Sequence, residues 1–196
     1  MNRLGLVFLG CCLLALVLPA VAGAENPHTR GGFILGLNAG GGSAGLTFED
    51  LNGESSNSDR EGGGAFNIRA AWAFNPQFAA GLEMNSWTKD EGGSTVTFDV
   101  TAAAATFYPG ANGLFLRGGV GAGTVDVEFT DDTGTTVSAS KSGLGLFGGV
   151  GYEWRLGRRW ALGPMADFGW MSIDDVDGGK LKVNYFNFTV GFDWYF

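Results

Sequence analysis

The stretch from Val183 to Phe196, VNYFNFTVGFDWYF, alternates with strict period two. Phe186, Phe188, Val190, Phe192, Trp194 and Phe196 share one face, whereas Tyr185, Asn187, Thr189, Gly191, Asp193 and Tyr195 share the other. Successive side chains of a strand point to opposite sides, so the spacing predicts a β-strand with one wholly apolar face and one mostly polar or small face. On a soluble protein such a ladder of five aromatics and a valine would be an exposed apolar edge that invites aggregation.

Seven runs upstream repeat the pattern. Phe33, Leu35, Leu37 and Ala39 alternate with Ile34, Gly36, Asn38 and Gly40, and Ile34 alone breaks the rule. From Ala65 to Phe74, Phe66, Ile68, Ala70, Trp72 and Phe74 oppose Asn67, Arg69, Ala71 and Ala73. From Phe78 to Trp87, Phe78, Leu82 and Met84 oppose Gly81, Glu83, Asn85 and Trp87. From Thr95 to Tyr108, Val96, Phe98, Val100 and Tyr108 read as the apolar face against Thr97, Asp99 and Thr101. Leu114 to Thr124 sets Leu114, Leu116, Val120 and Ala122 against Arg117 and three glycines. Gly143 to Arg155 sets Leu144, Leu146, Val150, Tyr152 and Trp154 against Phe147, Glu153, Arg155 and glycines, and Trp160 to Met171 sets Trp160, Leu162, Phe168 and Trp170 against Met165 and Asp167. Eight strands with both ends of the sheet on one side suit a closed antiparallel barrel.

The spacing Thr189, Gly191, Trp194, Phe196 resembles the C-terminal signal of bacterial outer-membrane β-barrels: a polar residue, a glycine, then two aromatics. The glycine-rich runs LRGGVGAG and LFGGVGYEW are similar to the outer membrane protein beta-barrel domain pattern, represented by the OmpA transmembrane domain, OmpX and the opacity-type surface proteins. The resemblance implies an all-β fold, an eight-stranded antiparallel up-and-down transmembrane β-barrel. It also implies the lipid bilayer and lipopolysaccharide as surroundings, and a final strand read by the outer-membrane assembly machinery.

The connections support that topology. Those after the second, fourth and sixth strands are short, and residues 44 to 62, 88 to 94, 125 to 142 and 172 to 181 are longer. Short turns of such barrels face the periplasm and long loops face outward, so these four are the expected extracellular loops. They carry 14 acidic and 4 basic side chains.

At the front, Arg3, the apolar run Leu4 to Val21 and the small residues Ala22-Gly23-Ala24 read as a cleaved signal peptide over residues 1–24, with the barrel domain over 25–196. The alternatives are an uncleaved anchor, disfavoured by Pro19, and a lipoprotein at Cys11, which comes too early in the run. Cys11 and Cys12 would leave with the signal, and the mature chain would then have no thiol chemistry. Loss of Arg3 leaves 11 basic against 20 acidic side chains, a net charge of −9 that excludes nucleic-acid binding by counterion release.

Period two does not say which face is outside, since a soluble lipocalin-type carrier alternates in the same way with its apolar face inward. The second face decides the matter. It carries Arg69, Glu83, Asp99, Arg117, Glu153, Arg155, Asp167 and Asp193 among glycines and asparagines. That mixture is poor as a solvent surface and sensible inside a narrow tube, where long charged side chains need small neighbours. These eight residues are therefore expected to form lumen ion pairs. If Asn75-Pro76-Gln77 closes its hairpin, Arg69 falls opposite Glu83, the expected direct pair.

No chemistry-bearing motif survives its context. Gly143-Leu-Gly145-Leu-Phe-Gly148 matches G-x-G-x-x-G but lacks the βαβ unit that nucleotide binding needs, and Asp175-Val-Asp177-Gly178 is a calcium-loop fragment without its distal glutamate. His28, the only histidine, precedes the first strand, so no Ser/His/Asp arrangement can form in the barrel. The expectation is a non-enzymatic surface barrel with acidic extracellular loops, serving envelope integrity or surface interaction, without cofactor, metal or catalytic residues, its extracellular ligand unidentified. An OmpW-like narrow channel for small solutes and a soluble lipocalin-like carrier are the alternatives.

Overall fold

The computed structural model describes residues 30–50, 54–110, 113–130, 136–174 and 179–196. The expected signal peptide, with Cys11, Cys12 and His28, lies outside the described residues, as do Asp175 and Asp177. The strands are β1 (Gly32–Glu49), β2 (Ser55–Asn57), β3 (Glu61–Asn75), β4 (Phe78–Glu91), β5 (Ser94–Phe107), β6 (Leu114–Thr130), β7 (Thr136–Tyr152), β8 (Trp154–Arg155), β9 (Trp160–Asp174) and β10 (Lys180–Tyr195). Neighbours pair antiparallel in the order β10-β1-β3-β4-β5-β6-β7-β9, and β9 pairs back to β10, so the sheet closes on itself. Two elements add to this eight-stranded barrel. β2 folds back on the outer end of β1, and β8 continues the β7 register along β9 after Glu153.

Closure rests on β10. It pairs with β1 from Ile34↔Tyr195 to Glu49↔Lys180, and the Phe196 N–H donates to the Phe33 carbonyl at 2.9 Å. Stepping from partner to partner once around the sheet runs Leu37, Ile68, Met84, Thr101, Ala122, Leu144, Ser172, Lys182, Thr47, returning to β1 ten residues from the start. A shear of ten on eight strands tilts them by about 40° at the usual rise and spacing.

The apolar face points outward. Leu35, Phe66, Trp72, Leu82, Leu116, Val120, Phe168, Phe188 and Val190 are all exposed. The soluble-carrier alternative is thereby overturned, because it requires a polar exterior. Along β10 this face runs from Phe186 to Phe196, which at the estimated tilt spans roughly 25 Å, the height of a lipid-facing belt. Its lower edge is a girdle of rings: Trp160 packs on Trp194 at 4.7 Å and on Phe192 at 4.5 Å, Trp194 on Phe196 at 4.8 Å, and Phe196 on Phe33 at 5.6 Å.

Two corrections concern the strands. In β5 the apolar face is reversed: Phe98, Val100 and Tyr108 are 2 %, 0 % and 1 % exposed and point inward, while Asp99 lies on the outer face. Residues 101–106 read TAAAAT and present small side chains on both faces, so the strand itself does not fix which face turns outward. The expected loops are also largely strand. The loop placed at 88–94 is a continuous hairpin turned by Gly92 and Gly93 at φ +59° and +86°, a pair of positive values that favours glycine. At the opposite end the Asn75 side chain accepts from the Gln77 N–H at 2.9 Å and holds the short turn between β3 and β4.

Candidate functional site

The interior is built in three tiers by the inward residues of the eight strands. The lowest tier closes the periplasmic end. Glu153, in the break between β7 and β8, accepts from Arg30 Nε at 2.7 Å, from the Tyr195 hydroxyl at 2.8 Å and from the Tyr108 hydroxyl at 3.2 Å. The Arg30 guanidinium also lies 3.8 Å over the Tyr108 ring, and Phe115 and Met165 pack around that ring. Arg155 stacks 3.8 Å over Tyr195 and donates to the Arg158 carbonyl.

The middle tier is a polar network. Arg69 pairs with Asp193 at 2.7 Å, and Arg117 with Glu83 at 2.8 Å. Asn38 donates to Asn67, Asn67 to Glu83, Asn85 to Asp167 at 2.6 Å, and Asn187 to Asn85 at 3.1 Å. All of these side chains are buried, so each interaction is made where competing water is scarce.

The upper tier is apolar. Trp87 stacks on Phe98 at 5.1 Å, and Val125, Phe147, Met171, Ile173, Val183 and Tyr185 complete a cluster with Ala44, Val100 and Ala102. The Tyr185 hydroxyl donates down to the Asn85 carbonyl at 3.0 Å and joins the two upper tiers. The charged lumen inferred from sequence therefore occupies only the periplasmic part of the interior.

Five of the eight expected lumen charges, Arg69, Glu83, Arg117, Glu153 and Asp193, stand in ion pairs, but not in the expected combination. Arg69 and Glu83 are Cα partners, as the turn at Asn75 implied, yet each takes an ion partner beyond the adjacent strand. Gly36 is the Cα partner of both Arg69 and Asp193, and the two side chains meet over it. A Cβ there would stand 2.3 Å from Asp193 Oδ1 and 3.3 Å from Arg69 Nε. Asp167 and Arg155 take the neutral partners named above, and Asp99 accepts from the Ser86 hydroxyl outside the lumen. Arg30 was missed by sequence reasoning. Extending the inward parity of Ile34, Gly36 and Asn38 back past Gly32 reaches it, and the shortage of bases among the inward charges was the other available signal.

The geometry predicts a specific pairing test. Arg69→Ala is expected to cost about 3 kcal/mol by leaving Asp193 unpaired. Asp193→Ala in the same chain should recover part of that loss, whereas Glu83→Ala should recover none. Urea unfolding of the refolded barrel measures all three.

Beyond the belt the hairpins carry exposed ion pairs, Lys89 with Glu61 and Glu91, and Lys182 with Glu49. Among the described residues no group of three His, Cys, Asp or Glu side chains is arranged to hold a metal ion. The four positions of the terminal signal divide by face. Thr189 and Gly191 point inward, Gly191 against Asn38, while Trp194 and Phe196 point outward into the ring girdle.

Similar folds are known. Ail, the attachment invasion locus protein of Yersinia pestis, is 18% identical and matches 86% of this chain and 100% of its own, with a TM-score of 0.50. In complex with the heparin analogue sucrose octasulfate, Ail matches 84% of this chain and 99% of its own at 18% identity and a TM-score of 0.52. Neisserial surface protein A is 13% identical, covering 84% of this chain and 97% of its own with a TM-score of 0.51. At these identities the likeness is one of fold. A search of curated protein sequences finds no significant match. The model of the outer membrane protein beta-barrel domain matches residues 10–196. With the outward apolar belt, the closed eight-stranded sheet and the filled interior, this match establishes that the chain belongs to the outer membrane protein beta-barrel domain family of the bacterial outer membrane.

Proposed function

We propose that the protein is a non-enzymatic surface barrel, anchored by its belt and plugged by its own side chains, which works through the hairpins projecting beyond the membrane. The observation that carries this reading is the filled interior. Arg30, Glu153, Tyr108 and Tyr195 close one end, two ion pairs and an asparagine network cross the middle, and an aromatic and aliphatic cluster fills the outer half. Eight-stranded barrels have interiors just wide enough for side chains to fill, and here they do so in three successive layers. A surface role suits β6 and β7, whose pairing continues out to Thr130↔Thr136, past the level of the β4–β5 turn.

Planar-bilayer recording of the refolded barrel tests the reading. A quiet membrane is expected at physiological salt. Steady unit steps would instead favour the narrow-channel alternative, with the Glu153 tier as its gate. Export by residues 1–24 and recognition of the last strand by the assembly machinery belong to the same proposal. Support for the second part comes from Trp194 and Phe196, which stand side by side on the outer face at the end of the closing strand. Removing the Phe196 side chain is expected to lower the outer-membrane level several-fold, with unchanged synthesis, as read by fractionation and blotting. Lipopolysaccharide is proposed as the neighbour of the outer rim, where Asp99, Asp126 and Glu128 would meet its phosphates through divalent cations.

A further inference from the structure

Above the belt, the meaning of the two faces inverts. Within the membrane span the outward face is apolar and the middle of the lumen polar. In the projecting hairpins the outward positions are Thr95, Thr97, Asp126, Glu128, Ser138 and Ser140, while the inward positions of β1, β6 and β10 are apolar and Glu61, Lys89, Glu91 and Lys141 are the charged residues that share the inward parity. The apolar wall begins at the buried Trp87 and Phe98 and does not stop where burial stops. It rises through the partly buried Leu46, Val96, Val127 and Leu181 to Phe48, Phe129 and Val137, which are 54 %, 56 % and 63 % exposed. These three stand beyond the lipid-facing belt, where no acyl chain covers them. Phe129 and Val137 are cross-strand partners on one wall, and Phe48 is the partner of Leu181 on the other, so the barrel opens outward as an apolar mouth. An apolar surface rimmed by polar groups is the usual mark of a binding surface.

Charge selects the occupant. The described residues of the projecting segments, within 43–62, 86–99, 124–142 and 172–184, include 11 acidic and five basic side chains. Lys89 and Lys182 are engaged by Glu61, Glu91 and Glu49, and the acids still outnumber the bases across the rim. A cavity of about 410 Å³ opens at the mouth, with Phe48 and Leu181 as its apolar side and Glu49, Asp50 and Glu54 beside Lys180 at its edge. Its volume suits one or two large side chains, and its edge suits a cation next to them.

We propose that this mouth binds a cationic amphipathic peptide segment. Its apolar side chains would seat against Phe48 and Leu181, and its flanking lysines or arginines would face Asp50 and Glu54. The inference rests on the surface-barrel reading and supplies its partner class. A polyanion without bridging cations would be repelled by the acids at the mouth, and an uncharged apolar ligand would gain nothing from them.

The test uses the full-length barrel in nanodiscs of zwitterionic lipid, with empty nanodiscs as the background. The probe is a fluorescent amphipathic peptide of leucine and lysine. Two controls accompany it, one with the same composition scrambled to remove the apolar face and one with glutamate in place of lysine. Saturable binding of the first peptide is expected, at least tenfold tighter than either control and weakened by raised salt. Phe48→Ser and the pair Asp50→Asn/Glu54→Gln should each weaken it about tenfold, while the heat-dependent gel shift stays unchanged because all three positions are at the surface. Equal binding of the glutamate peptide, equal binding by Phe48→Ser, or no binding by a folded barrel would each overturn the proposal. The surface-barrel reading fails separately, by unit conductance steps from the same preparation.

Discussion

Glu153→Ala should be the most damaging single side-chain truncation in the barrel. It leaves the Arg30 guanidinium, whose side chain is 0 % exposed, facing the hydroxyls of Tyr108 and Tyr195 with no carboxylate between them. Removing one partner of a buried pair typically costs about 3–5 kcal/mol, and each stranded phenol adds roughly 1 kcal/mol or more, so a loss of about 5 kcal/mol is expected. The readouts are urea unfolding of the refolded protein and the temperature at which the folded band on a detergent gel converts to the unfolded one. Arg30→Leu placed on Glu153→Ala should recover a large part of the loss, because it removes the orphaned charge and fills the space with apolar volume. If the double variant were as unstable as Glu153→Ala alone, the lowest tier would not be held by this pair.

Gly163→Val should prevent folding altogether. A Cβ on Gly163 would stand 1.7 Å from the Tyr152 carbonyl oxygen, 2.7 Å from its carbon and 2.9 Å from Glu153 Cα, all of them backbone atoms. A flexible neighbour can give way, but here β7 and β9 would have to separate beside the Glu153 tier. Overpacking usually costs about 1–3 kcal/mol where side chains can adjust, and a strand pair forced apart exceeds that range. The expected result is no heat-modifiable band after refolding under conditions that fold the wild type. Gly148→Ala serves as the control. A Cβ at that position meets only one backbone oxygen at 3.9 Å, and its stability should change little.

Taken together, the two variants identify what holds the lower end of the barrel shut. A buried carboxylate satisfies one guanidinium and two phenols, and an adjacent glycine lets the strands approach closely enough to put it there. The outer half needs no such carboxylate, because Trp87, Phe98, Phe147 and their neighbours fill it by packing, with Gly63, Gly119 and Gly169 leaving room for the rings.

Much of this architecture can be read from the order of residues alone. Period two along β10, β3 and β9 fixes which side chains share a face, because a strand places neighbours on opposite sides whatever surrounds it. The Asn75-Pro76-Gln77 turn implies Arg69 opposite Glu83, and the structure has them as cross-strand partners with a one-residue register shift between Ala73 and Asn75 absorbing the pairing of Asn75 with Phe78. The outward direction of the apolar belt also follows from sequence, since the opposite face offers charges spaced by glycine that suit only a narrow interior.

The tertiary structure decided what depends on closure. Arg69 meets Asp193 only because β10 pairs with β1 at a shear that brings both opposite Gly36, and neither the strand pairing nor the shear is contained in any one strand. Arg30 belongs to the lumen because the chain entering β1 runs beside Glu153, far away in sequence. The face of β5 was ambiguous for a related reason: with small residues on both sides at 101–106, only the neighbouring strands choose whether Phe98 or Asp99 points inward. Local alternation determined the surfaces of this protein, and the closed hydrogen-bonded ring determined which charges, separated by many residues, came to meet across its interior.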